Sequence, residues 1–259
     1  MNSEKQPEVV AAVQARIAGL VAGSPAGHNL LLIGGFRYRF LNQSVRSSKD
    51  IDYHWAGDLE EKQKELISLF RKRLLPALKR DMGYEGRADA QSGPDADLPA
   101  VRTVIVALWQ PGVEYSRIEI PVEVTRVPCL DNMVVKTVDG TIYPVLSDPD
   151  QIESKIIAVF NRQILQHRDL VDVFLFSSSL SPESPLRLKK KFDAVGVTPK
   201  EITKRLTDLK KNSDYHAKQI QLIIDTQIDP EAAENLNAAG GGAFVLERAL
   251  ELISQTSTQ

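Results

Sequence analysis

The sequence is poor in the residues that staple or anchor a chain. Cys129 is the only cysteine in 259 residues, so no disulfide can form within the chain, and a reducing compartment is expected. No apolar run approaches the roughly 20 residues needed to span a bilayer, so no membrane association is expected. The N-terminal stretch lacks a basic segment followed by an apolar one, the mark of a secretion signal, and a cytoplasmic location is expected. Net charge is only −2, which excludes a global field drawing the protein to polyanions; any such site must be a local patch. Aromatic residues make up 6%, and Trp55 and Trp109 read as core. No glycine-rich loop runs into Lys-Ser/Thr, and no kinase signature is present. His28, His167 and His216 have no ligand spacing with Cys129, so no zinc site is expected.

What is present is ordinary globular material, 42% hydrophobic and 25% charged, enough for one or two domains. Residues 8–21 have helical periodicity, and Ser24–Gly27 breaks it. Leu30–Ile33 reads as a short buried strand stopped by Gly34-Gly35, and a helix is expected over 36–41. Residues 49–55 alternate, with Ile51, Tyr53 and Trp55 on one face and Asp50, Asp52 and His54 on the other. A long helix is expected over 59–80, with Pro76 disturbing its end. Residues 86–99 read as a polar loop. Strands follow at 101–109 and 115–124 across a turn in 110–114, then a hairpin at 133–145 turned by Asp139-Gly140. After Asp148 only helical patterns remain, near 150–165, 168–177, 182–194, 199–211, 214–227, 230–237 and 243–255. Mixed elements to residue 146 and helices over 147–259 indicate an α+β domain followed by a helical one.

Asp50 and Asp52 are the first candidates for chemistry. Two aspartates at i and i+2 on a strand point the same way, with Cα atoms ~6.5 Å apart. Such a pair can hold one magnesium ion or bridge two. By itself the triplet also fits a solvent-facing strand edge. Its context is more telling. An apolar strand ends in Gly34-Gly35, a helix follows, and 14 residues separate Gly35 from Asp50. Glycines there let a phosphate approach the backbone at a helix N-terminus.

The stretch LLIGGFRYRFLNQSVRSSKDIDY resembles the first motif of the nucleotidyltransferase superfamily, and within it the AbiEii-like toxins of type IV toxin–antitoxin and abortive-infection systems. Arg46, Ser48, Asp50 and Asp52 match that family's Arg-x-Ser-x-Asp-(apolar)-Asp. A second stretch is similar to the family's later signature: Lys155, Arg162, then Arg168-Asp169-Leu170-Val171-Asp172. The resemblance implies a nucleotidyltransferase-type mixed sheet with flanking helices over 1–146, and a helical domain over 147–259 that completes the nucleotide site. It implies Asp50, Asp52 and a third carboxylate as metal ligands. Glu119 is favoured for the third, being central in its strand and preceding Pro121; Glu123 shares its face, and Glu119 could instead pair with Arg102 or Arg117. Nucleotide contacts are expected from Gly34, Gly35, Arg46, Ser48, Lys155, Arg162, Arg168 and Asp169, with Asp172 fixing the geometry. Lys155 and Arg162, seven apart, are expected on one helix face; the alternative is salt-bridged helices, for instance Arg168 with Asp172.

Residues 187–211 hold nine Lys/Arg against three Asp/Glu, a local excess that reads either as a grip on an RNA backbone or as a solvated face. The candidates are Lys189, Lys190, Lys191, Lys204 and Arg205. The implied cofactor is Mg2+ or Mn2+ with a nucleoside triphosphate as substrate, and the implied partners are tRNA, accepting at its 3′ end, and a cognate antitoxin. The alternatives are modification of a small molecule or a protein, or a non-catalytic RNA-binding protein on this fold.

Overall fold

The computed structural model describes residues 6–91, 101–113 and 116–257. The alternating runs build a seven-stranded mixed sheet in the order β3-β4-β5-β2-β1-β7-β6. Its strands are β1 (Leu31–Ile33), β2 (Ile51–His54), β3 (Glu85–Ala90), β4 (Val101–Trp109), β5 (Ile118–Thr125), β6 (Val134–Val138) and β7 (Thr141–Val145). Neighbours are antiparallel except for β2 beside β5 and β1 beside β7. The accompanying helices are α1 (Gln6–Ala22), α2 (Gly34–Asn42), α3 (Leu59–Leu69) and α4 (Leu75–Met82). Val13 and Ile17 of α1, Leu66 of α3 and Leu78 of α4 share one core with Ile51, Tyr53, Ile120, Val122 and Val124. Strand alternation turns Asp52 and Glu123 away from that core.

Two expectations need correcting. The helix expected over 59–80 is interrupted by a wide π turn at Phe70–Leu74 between α3 and α4. Pro76 lacks an N–H and its ring crowds the carbonyl four residues back, and the widened turn relieves both problems. The loop expected over 86–99 is, through Ala90, the edge strand β3. Composition hides it because the strand is built from small residues. A Cβ on Gly86 would come within 2.7 Å of the Ala107 carbonyl oxygen on β4, so the glycine is there to let β4 approach. The rest of that expected loop, from residue 92, lies outside the described residues, as do Glu114 and Tyr115 of the expected turn and strand. The β6–β7 hairpin turns as expected, with Asp139 and Gly140 both left-handed at φ 48° and 76°.

The chain divides into two units. The sheet unit is Met1–Ser44, Ser48–Arg126 and Met133–Val145; the helical unit is Val45–Ser47, Val127–Asn132 and Leu146–Gln259. The helical unit carries α5 (Asp148–Asn161), α6 (His167–Leu175), α7 (Ser184–Val195), α8 (Pro199–Lys211), α9 (Ser213–Gln227), α10 (Pro230–Ala238) and α11 (Gly241–Ser257). It has its own core, including Ile152, Ile156, Leu170, Val173, Ile224, Ala249 and Ile253. Ser147 caps α5 through the Asp150 N–H, and Thr198 with Glu201 forms a capping box on α8. Residues 45–47 join this unit by backbone pairing: Ser47 N–H donates to the Gln227 carbonyl at 2.8 Å, and Asp229 N–H to the Val45 carbonyl at 2.8 Å.

Ile51 is fully buried between Asp50 and Asp52. Ile51→Ala is expected to cost about 2–5 kcal/mol, read as a lowered urea midpoint with an unchanged slope.

Candidate functional site

In the sheet unit the site begins where β1 runs into α2. Gly34 and Gly35 are the first residues of α2, and Gly34 has φ +77°, a conformation that favours glycine. A Cβ on Gly34 would lie 1.8 Å from Asp52 Oδ2, so only a hydrogen fits against that carboxylate. The pairing of Ile33 with Asp52 across β1 and β2 brings the two together. Asp50 immediately precedes β2 and is 8% exposed. Gln14, from α1, braces the chain just before it by donating to the Ser48 and Lys49 carbonyls at 3.0 and 3.1 Å. Nothing in the sequence marked Gln14, because a lone glutamine on an amphipathic helix carries no motif. Ser48 directs its hydroxyl to the Asp50 carbonyl at a long 3.4 Å.

The third carboxylate is better matched by Glu123 than by Glu119. The parallel register of β2 and β5 sets Glu123 directly opposite Asp52. Glu119 lies opposite Ala107 on β4, with its side chain 48% exposed and ion-paired to Arg117. A position central in its own strand did not reveal which residue faces Asp52; inter-strand register decides that. The donors are carboxylate oxygens, which suit a hard divalent cation such as magnesium. The close packing of Gly34 on Asp52 holds that carboxylate in one place. Among the described residues no three His, Cys, Asp or Glu side chains are grouped closely enough to hold an ion. Phosphate oxygens and water would therefore complete any coordination, as is usual for magnesium.

In the helical unit the second signature forms one buried polar chain. Asp172 on α6 accepts from Arg46 in fork geometry, at 2.6 Å from Nε and 2.9 Å from Nη2. Lys155 on α5 lies 3.0 Å from the same carboxylate and 3.1 Å from Asp169. Arg162, the C-cap of α5, reaches Asp169 at 3.5 Å. Burial alone would raise the Asp172 carboxyl, but the charges of Lys155 and Arg46 outweigh it and hold the group below the usual carboxylate range. Arg46, Lys155 and Arg162 thus meet Asp169 and Asp172 in one connected chain of charges. Arg168 precedes Asp169 on α6 and is half-buried. The alternative of salt-bridged helices holds in kind, because Lys155 and Arg162 tie α5 to Asp169 and Asp172 of α6; Asp172, however, takes Arg46 and Lys155 as partners rather than Arg168.

The basic stretch is only in part a surface patch. Lys189, Lys190 and Lys204 are exposed. Arg205 is half-buried and donates to the Arg162 carbonyl at 2.6 Å. Lys191 is fully buried, 2.6 Å from Asp150 and 2.8 Å from Glu153, and so is unsuited to touching RNA. The period of α7 turns Leu188, Lys191 and Phe192 inward together. Arg187 joins the same network, at 2.7 Å from Asp131 and Asp150 and 2.8 Å from Glu153. Burial, reinforced by Asp150, raises the nearby Cys129 to about 11, leaving it a thiol at neutral pH.

A mixed sheet whose central strand β2 brings Asp-x-Asp beside a glycine-opened helix, followed by a helical region, is a nucleotidyltransferase-like α+β fold. Solved structures agree. A proposed nucleotidyltransferase from H. pylori superposes with a TM-score of 0.55 at 14% identity, over 98% of this chain and 96% of that one. JHP933 from Helicobacter pylori gives 0.53 at 15%, over 98% and 93%. MenT4, a nucleotidyltransferase toxin from Mycobacterium tuberculosis, gives 0.53 at 16%, over 96% and 84%. At such identities the likeness is one of fold. No curated protein matches the chain. The family described as "Nucleotidyl transferase AbiEii toxin, Type IV TA system" matches residues 19–240, and the chain belongs to it. Among the described residues no helix is long and apolar enough to cross a membrane.

Gly34→Ala is expected to displace Asp52 and remove nucleotidyl transfer while circular dichroism stays native-like. A second expectation concerns acid. Because the folded Asp172 carboxyl sits below its unfolded value of about 4, its stabilisation is complete above that value and is lost as pH falls through the folded one. Asp172→Asn is expected to cost about 3–5 kcal/mol at pH 7 by leaving Arg46 and Lys155 buried without their carboxylate. It should also flatten the fall in denaturation midpoint below pH 4.

Proposed function

We propose that this chain transfers a nucleotide from a nucleoside triphosphate, bound with Mg2+ or Mn2+, to the 3′ end of tRNA, and that a cognate antitoxin restrains it. The observation that carries the enzymatic reading is the contact of Gly34 with Asp52. The Asp52 carboxylate fills the place a side chain on Gly34 would take, so the glycine pins that carboxylate against the opening turn of α2, where the helix N-terminus suits the phosphates that a bound metal would bring. Asp50, Asp52 and Glu123 are the proposed acidic groups, no more than two of them on one ion and the rest of its coordination from phosphate and water, and Glu123 takes the role first considered for Glu119. Bound metal would neutralise phosphate charge and draw electron density from the α-phosphorus. A hydroxyl of the acceptor forms its bond to that phosphorus as the bond to pyrophosphate breaks, and the hydroxyl proton passes to solvent or a nearby base. The N–H groups opening α2 at Gly34 and Gly35 orient phosphate oxygens.

The helical unit, taken by itself, offers cations to an anionic ligand. Lys155 and Arg162 serve phosphates, with Arg46 and Arg168 adding charge. Asp169 and Asp172 hold Lys155 in place, and Ser48 steadies the motif backbone. The acceptor assignment draws on the family resemblance, and the exposed Lys189, Lys190 and Lys204 with Arg205 are compatible with an RNA backbone.

The test is incubation of the purified protein with each labelled nucleoside triphosphate, magnesium and total tRNA. Label should enter tRNA with the wild type and fall at least about 100-fold with Asp52→Ala, as expected when a phosphoryl-transfer site loses its charge-neutralising clamp. Label in small hydroxylated acceptors but never in tRNA would overturn the acceptor; no transfer to anything would overturn the activity.

A further inference from the structure

The helical unit carries a cluster of rings that the proposed chemistry does not use. His167 opens α6, and Tyr215 and His216 lie in the first turn of α9. His167 Nε2 and His216 Nδ1 are 2.9 Å apart. Tyr215 stands edge-on to both imidazoles, with ring centroids 6.0 Å from His167 and 5.2 Å from His216 at interplanar angles of 73° and 70°. Tyr215 is nevertheless 58% exposed. The two imidazoles thus fix the orientation of a tyrosine ring that remains open to solvent. A ring held this way loses little freedom when something stacks on it.

Its surroundings identify the chemistry of what would stack. The Arg205 charge acts on His216, and Arg205 donates to the Arg162 carbonyl. Arg162 has a side chain 42% exposed and pairs with Asp169, which lies two residues after His167 and also pairs with Lys155. The rings therefore sit at the outer end of the cation-rich chain running through Lys155 to Asp172 and Arg46. Burial, with the Arg205 charge acting on His216, lowers both imidazoles below their ordinary values, so the rings are neutral at pH 7. An exposed aromatic ring beside an imidazole on which an arginine charge acts matches a nucleobase joined to phosphate. A surface for an ordinary protein contact needs neither the ordered imidazole pair nor the link to the phosphate-binding residues.

We propose that Tyr215, steadied by His167 and His216, with the Arg205 charge acting on His216, is a stacking platform for an unpaired nucleobase. The base belongs either to the single-stranded end of an RNA acceptor or to the incoming nucleoside triphosphate. The placement beside Lys155 rests on the nucleotide-transfer reading; the stacking itself does not.

The full-length protein is titrated with three probes: an RNA hairpin bearing a short single-stranded 3′ overhang, the same hairpin with a blunt end, and each common nucleoside triphosphate with magnesium. Tyr215 is exposed, so Tyr215→Ala should keep the wild-type melting temperature. If the base is that of RNA, Tyr215→Ala weakens the overhang hairpin roughly tenfold and leaves the blunt one unchanged. If it is that of the substrate, the same loss falls on a triphosphate. Tyr215→Phe, which keeps the ring, should bind as the wild type does. Wild-type affinity of Tyr215→Ala for every probe overturns the platform and leaves this face to a protein partner. So does a wild type that binds none of them, or an equal loss on overhang and blunt hairpins with no loss on any triphosphate. Nucleotide transfer separates the two readings. Transfer by the wild type with unchanged binding by Tyr215→Ala removes the platform alone. Weakened binding by Tyr215→Ala, in a protein that transfers nothing, removes the activity alone.

Discussion

Asp172 is fully buried, and its two oxygens hold Arg46 and Lys155. An ionised carboxylate at such depth is tolerated only because cations and hydrogen bonds replace the water it gave up. The requirement works in both directions. Arg46 is 2% exposed and Lys155 9%, so each in turn depends on the carboxylate. Asp172 thus ties together three separate stretches of sequence: the 45–47 segment, α5 and α6. The same segment is held by backbone pairing with residues 227–229. Fork geometry on Arg46 fixes an orientation that a lysine could not.

A second buried network in the helical unit also joins stretches distant in sequence. Arg187 and Lys191 face Asp131, Asp150 and Glu153, two cations against three carboxylates. The backbone N–H groups of Leu130 and Asp131 also donate to Asp150. That balance leaves no surplus positive charge for an anion and reads as a clamp on α7 and the 127–132 segment.

Much of this was legible because the signals were local. The alternation over 49–55 set the face of Asp52, Asp139-Gly140 set the hairpin turn, and the helical periods after residue 148 correspond to α5 through α11. What was not legible depended on partners distant in sequence. Glu119 and Glu123 share a face on one strand, and only the register with β2 distinguishes them. Lys189, Lys190 and Lys191 look alike in sequence, yet the acids awaiting Lys191 come from α5. β3 was hidden because small residues at a close strand contact resemble a loop in composition. Family membership follows from the match over residues 19–240, whereas the role of each side chain rests on geometry and on the proposal built from it.

The proposed transfer of nucleotides to the ends of RNA depends on Asp50 and Asp52. Sequencing the 3′ ends of cellular RNA after expressing the wild type and Asp50→Ala side by side tests it most directly. The account predicts untemplated nucleotides on tRNA ends, with arrested growth, in the wild type only. Identical ends in both, with growth arrest persisting in Asp50→Ala, would contradict it.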